Sequence, residues 1–136
     1  MIGLDTNVLV RYLAQDDPAQ SAQATEVIER QLTGENPGFV SLVAMVETVW
    51  VLERAYGLQG HEIAAAVERI LAADVLVVEA EQEVFIAMIA LKEGQGSFAD
   101  ALIGSLGARA GCFRTLTFDQ KALRLPGFEP VSKQQE

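Results

Sequence analysis

The sequence predicts an α/β fold with a parallel sheet, and three observations lead there. Short apolar runs alternate with stretches of helical periodicity, the pattern of βα units. No repeat, low-complexity tract or Pro/Ser-rich linker interrupts the 136 residues. A chain of that length buries roughly two thirds of its unfolded surface, enough for one compact domain over residues 1–131.

The elements follow in order. Ile2 to Leu4 is a minimal first strand, and Asp5-Thr6-Asn7 leads into a helix with Val8, Leu9, Tyr12 and Leu13 on one side. A second helix opens with Asp17 as N-cap and Pro18 at its first position and stops near Gly34. Phe39 to Leu42 is the next strand. Ser41 caps the helix LVAMVETVWVLERAYG, which Gly57 closes, and a further helix spans about His61 to Ala73. Val75 to Val78 forms the third strand, Glu81 to Glu93 an amphipathic helix, and Gly94-Gln95-Gly96 a turn before Ser97 caps FADALIGSLGARAG. Thr115 to Phe118 is the fourth strand. A short KALRL helix then ends at Pro126-Gly127, Glu129 to Val131 is a small edge strand, and residues 132–136 are expected to fray.

Composition narrows the chemistry. Half of the residues are apolar and 21% charged, yet no uncharged apolar run approaches the ~18 residues of a membrane span. The N-terminus lacks a basic region and a small-residue cleavage site, so the expectation is a soluble, cytoplasmic chain without membrane contact. Cys112 and His61 are the sole cysteine and histidine, which removes disulfides and Cys/His zinc motifs and leaves little support for a Ser-His-Asp triad. Hard-cation carboxylate chemistry remains. The net charge of −9 argues against nonspecific nucleic-acid binding, but it is uneven: residues 1–100 hold five basic and sixteen acidic side chains, residues 101–136 five and three.

Four acids need explaining. Ligands of open α/β sheets bind outside the carboxyl ends of the strands, where Asp5 and Asp119 are each the first acid after a strand. Asp100 falls in the first turn of the helix after Ser97, where the helix dipole favours an anion. Glu47 lies in LVAMVETVWVL, a stretch apolar enough to predict a largely buried helix, so its carboxylate needs a partner and should point into a site. Each acid also has an ordinary explanation: a helix cap for Asp5 and Asp119, a first-turn acid for Asp100, a core hydroxyl partner for Glu47. Carboxylates gathered in one cleft repel unless protons or a cation offset them, and without a His or Cys cluster the natural cation is Mg²⁺ or Mn²⁺.

These residues carry a resemblance. The opening LDTNVL, Glu47 within VAMVETVWVL, FADALI around Asp100 and TLTFD ending at Asp119 resemble the PIN-domain ribonucleases, most nearly their VapC toxin group. The resemblance spans about residues 1–131 and rests on the four acidic motifs standing in the family's order. It implies an α/β/α sandwich around a mostly parallel sheet of four to five strands, and a divalent-metal endoribonuclease. It also implies a homodimer and a VapB-type antitoxin, through which alone DNA would be touched. Asp5 and Asp100 would be the principal metal ligands; Glu47 and Asp119 would complete the pocket directly or through water. Asn7 and Thr117 would lie just outside the ligands. A metal-activated water would attack the scissile phosphorus in line, leaving 5′-phosphate and 3′-hydroxyl ends.

An acidic chain that cuts RNA needs local cations, and Arg11, Lys92, Lys121 and Arg124 are candidate phosphate contacts by their proximity to the motifs. Trp50, Tyr56, Phe85 and Met88 read first as core, although the resemblance implies an apolar groove for an antitoxin segment. The alternatives are a PIN nuclease of housekeeping RNA maturation without an antitoxin and a non-catalytic binding module. A response-regulator receiver would want adjacent acids after its first strand, and a haloacid-dehalogenase-type phosphatase a second Asp where Asn7 stands.

Overall fold

A computed structural model describes residues 1–131; the tail expected to fray, 132–136, lies outside the described residues. The chain divides into two compact units, Met1–Glu81 and Gln82–Glu136.

In the first unit, β1 (Ile2–Gly3), β2 (Gly38–Val40) and β3 (Leu76–Val78) form a sheet in that order with both pairings parallel. The predicted strands are present but start or stop a residue or two differently. β2 ends before Ser41 because that residue's hydroxyl accepts from the Ala44 amide at 3.1 Å and starts α3 (Leu42–Arg54). The first crossover contains α1 (Thr6–Ala14) and α2 (Pro18–Glu26), the latter capped as expected by Asp17, which accepts from the Gln20 amide at 3.0 Å. The helix predicted to reach Gly34 instead widens into a π turn over Val27–Gln31. The second crossover contains α3 and α4 (Gly60–Ala72), whose start is a reciprocal capping box between Gln59 and Glu62. Leu9, Val40, Met45, Leu52, Ile63 and Val67 are fully buried in this unit.

A Cβ at Gly38 on the middle strand would stand 2.7 Å from a Leu32 methyl and 3.0 Å from methyls of Leu4 and Leu76, so these buried leucines must shift to admit one. Gly38→Ala is expected to cost about 1–3 kcal/mol by overpacking, read as a lower urea midpoint with an unchanged slope.

The second unit contains most of α5 (Glu81–Lys92), all of α6 (Phe98–Arg109), and the parallel pair β4 (Thr115–Thr117) and β5 (Phe128–Pro130). The predicted KALRL helix is a single 3₁₀ turn, Ala122–Arg124. Gly104 lets α6 approach β5 closely: a Cβ would lie 2.7 Å from the Phe128 ring. Glu83, only 11% exposed at its side chain, is paired with Arg109 at 3.0 Å. Among the described residues no helix is long and apolar enough to cross a membrane.

The alternation of helices with parallel-paired strands is therefore that of the predicted α/β class, with five strands among the described residues, divided three and two. Of the four large residues assigned first to the core, Met88 is 1% exposed, whereas Trp50 is 56% and Phe85 49% exposed and Tyr56 is half-buried. Helical phase explains Trp50: Val43, Glu47, Trp50 and Arg54 recur every three or four residues, and this stripe is the exposed face of α3.

Candidate functional site

In the first unit all three strands run the same way, so residues following them collect at one end of the sheet. Asp5 follows β1, Ser41 follows β2 and Glu79 follows β3. Two of these are occupied in starting α3: besides Ser41, the Glu79 carboxylate accepts from the Leu42 amide at 2.7 Å. Asp5 differs. It has the extended backbone of an N-cap before α1, but its side chain accepts no capping hydrogen bond. The ordinary explanation for this acid therefore fails, and an exposed carboxylate stands at a helix N-terminus with neither oxygen bonded to a described residue.

Glu47 reaches the same place from 41 residues further along. The Thr6 hydroxyl donates to Glu47 Oε1 at 2.5 Å, and Thr6 is the residue immediately after Asp5. Thr6 is 5% exposed, so its hydroxyl needs a partner and finds it in this carboxylate. The hydroxyl partner expected for Glu47 is thus present, but the expected burial of Glu47 is not. Its helix turns it to the exposed face, with Oε2 bonded to no described residue.

In the second unit Ser97 caps α6 as expected, accepting from the Asp100 amide at 3.1 Å. That bond places Asp100 in the first helical turn, half-buried, its carboxylate without a hydrogen bond to any described residue. Asp119 is exposed beyond the end of β4. Its amide donates to the Thr117 hydroxyl at 3.0 Å, and its Oδ1 accepts from the Lys121 amide at 2.8 Å, so the segment Thr117 to Lys121 is held as a tight turn. Asp119 is therefore not the helix cap of its ordinary explanation: one of its oxygens closes a turn instead, and Thr117 braces the backbone that carries it.

The candidate cations differ in availability. The side-chain amines of Lys92 and Lys121 are exposed, and Arg124 donates to the Gly94 carbonyl at 3.3 Å. Arg11 is committed: Nε donates to Gln20 at 2.8 Å, Nη1 to the Tyr56 hydroxyl at 3.1 Å, and Asp16 lies 3.5 Å away. The Tyr56 hydroxyl in turn donates to Asp16 at 2.8 Å, which holds it above the usual phenol range; burial, aided by Glu29, does the same for Tyr12. A raised phenol favours the protonated fold, so this stability is complete below about pH 10 and is lost as pH climbs through the folded values. Tyr12→Phe together with Tyr56→Phe should flatten that alkaline loss in urea midpoints measured from about pH 9 to 11.

Toward the described residues, Asp5 and Glu47 of the first unit keep unbonded carboxylate oxygens, as Asp100 and Asp119 of the second do, and carboxylate oxygen is the donor type that suits a hard divalent cation such as Mg²⁺. Among the described residues of each unit, no group of three or more acidic, imidazole or thiol side chains is gathered closely enough to hold a metal. Thr6 and Glu79 were not singled out from the sequence as site residues. Each gains its meaning from a hydrogen bond spanning about forty residues, which no local pattern encodes.

A protein-family model described as PIN domain matches residues 2–127. No curated protein matches the chain.

Proposed function

We propose, because the chain belongs to the PIN-domain family, that it is an endoribonuclease of the VapC type, dependent on Mg²⁺ or Mn²⁺ and acting as the toxin of a toxin-antitoxin pair. Family membership places it among folds of metal-dependent nucleases acting on RNA. The observation that carries the finer reading is the Thr6–Glu47 hydrogen bond beside an Asp5 that caps nothing. Two acids distant in sequence are brought to one helix start: Asp5 makes no capping bond, and Glu47 commits one oxygen to Thr6 and keeps the other.

In this reading Asp5 and Asp100 hold the cation, and Glu47 and Asp119 complete its surroundings directly or through water. A divalent cation held there would supply Lewis-acid charge to the scissile phosphoryl group and lower the pKa of a water. Thr6 holds Glu47 by one oxygen, which would leave the other to orient a water beside the cation. Thr117 keeps the Asp119 turn in place, and Asn7, exposed two residues beyond Asp5, completes the polar surroundings. Lys92, Lys121 and Arg124 contact RNA phosphates, and charge-neutral replacement of Lys121 and Arg124 together should flatten the salt dependence of RNA binding. A VapB-type antitoxin and a second copy of the chain are the protein partners, and the site of action is the cytoplasm.

The test pairs two measurements. Purified chain is incubated with a single-stranded RNA pool, with Mg²⁺ or with EDTA, and new 5′-phosphate ends are sequenced. Induced expression is compared with Asp100→Asn at matched protein levels. Metal-dependent cuts together with growth arrest by the wild type alone are expected. Cuts without arrest would replace the toxin reading with housekeeping RNA maturation, and no cuts would leave a binding module.

A further inference from the structure

In the first unit a cleft of about 280 Å³ opens between α1 and the α2–π segment, and nothing above assigns it a role. Asn7, Arg11, Gln20 and Gln23 line it, over an apolar interior of Val8, Ala24 and Val27. The switch from α to π geometry begins at Val27, and wide helical turns of this kind recur at functional sites.

The polar lining is neutral in effect. No carboxylate lines the cleft, in a chain with nineteen acids. Its one cation is already balanced, because Asp16 lies 3.5 Å from Arg11 Nη1 and the guanidinium is pinned by Gln20 and Tyr56. The exposed amides of Asn7 and Gln23 bond to no described residue, and Gln20 commits only its side-chain oxygen, to Arg11. A phosphate would find no net positive charge here. A flat heterocycle would find an apolar surface for its face and amide donors and acceptors for its edge, the pairing by which Asn and Gln read nucleobases. The volume lies just below that of clefts for drug-sized molecules, which suits a single base.

We infer that this cleft is a subsite for one unpaired nucleobase of single-stranded RNA. The inference rests on the RNA-cleaving reading for its substrate. Asn7 lies two residues from Asp5 and Arg11 one turn beyond on the same helix, so the bound base sets which phosphodiester reaches the carboxylates.

The test follows the side-chain amide NMR signals of Asn7, Gln20 and Gln23 in the full, metal-free chain during titration with RNA trinucleotides of each base. Cleavage sites on a single-stranded RNA pool are sequenced in parallel with metal present. The comparison variant is Gln23→Leu, an exposed helix position outside the carboxylate site. The expected result is that these signals move with at least one trinucleotide. Gln23→Leu should weaken that binding about tenfold, the low end of one lost bidentate contact, and relax the preference for one base near the cut. Unmoved signals with every trinucleotide overturn the subsite even if the wild type cuts RNA. Moved signals in a chain that cuts no RNA overturn the nuclease reading and leave the subsite standing. A nucleoside monophosphate bound as tightly as the trinucleotide overturns the assignment to RNA.

Discussion

Asp5→Asn and Asp100→Asn are each expected to reduce RNA cleavage by at least about 100-fold while leaving the fold intact. Changing groups that merely brace a metal's ligands already costs about 10- to 100-fold, and a direct ligand should cost more. The local structure predicts little loss of stability. Asn is as good an N-cap as Asp, and the Asp5 carboxylate makes no capping bond that the amide would forfeit. Asp100 likewise loses no hydrogen bond, only a favourable first-turn charge worth about 0.3–1 kcal/mol. Melting temperatures should therefore stay level for Asp5→Asn and fall by at most about a few degrees for Asp100→Asn. Cleavage initial rates with thermal melts of both variants check this, and full activity in Asp100→Asn would sink the assignment.

Thr6→Val is the second large effect. Valine fills the buried space of Thr6 but gives no proton to Glu47 Oε1, so the carboxylate loses the bond that orients it. The expected result is a 10- to 100-fold fall in kcat with KM nearly unchanged, because positioning is lost rather than RNA contact. Thr6→Ser restores the hydroxyl and should recover most of the rate despite the cavity left by the missing methyl. A purely packing role for Thr6 predicts the reverse order, with valine tolerated and serine worse. In a Glu47→Gln background, Thr6→Val should add little, since both changes break the same interaction.

Much of this protein was readable along the chain. Asp17 before Pro18, Ser41 before an apolar helix and Ser97 before FADALI all act as caps, because a cap is a contact across three residues and depends on little else. The strands appear where short apolar runs stand between helices, and β4 and β5 pair in parallel as the βα alternation implies. Asp5, Asp100 and Asp119 stand where strand ends and helix starts put them, Glu47 lies within α3, and the motifs around all four carried the resemblance that the family match bears out at the level of the PIN domain.

What remained depended on contacts that no local pattern carries. Helical phase, set by how α3 seats on its neighbours, turned Glu47 and Trp50 outward from a stretch whose composition read as core. Only folding across 41 residues could bring the Thr6 hydroxyl to Glu47. Asp5 and Asp17 both stand before helices, yet only Asp17 spends its carboxylate on the cap, and that difference frees Asp5 for chemistry. Arg11 reads as an available cation until Asp16 and Tyr56 are seen to close around it. Periodicity and capping are interactions of near neighbours and are therefore written in the sequence. Which oxygen is left unpaired is decided by partners far away in the chain, and tertiary structure alone supplies them.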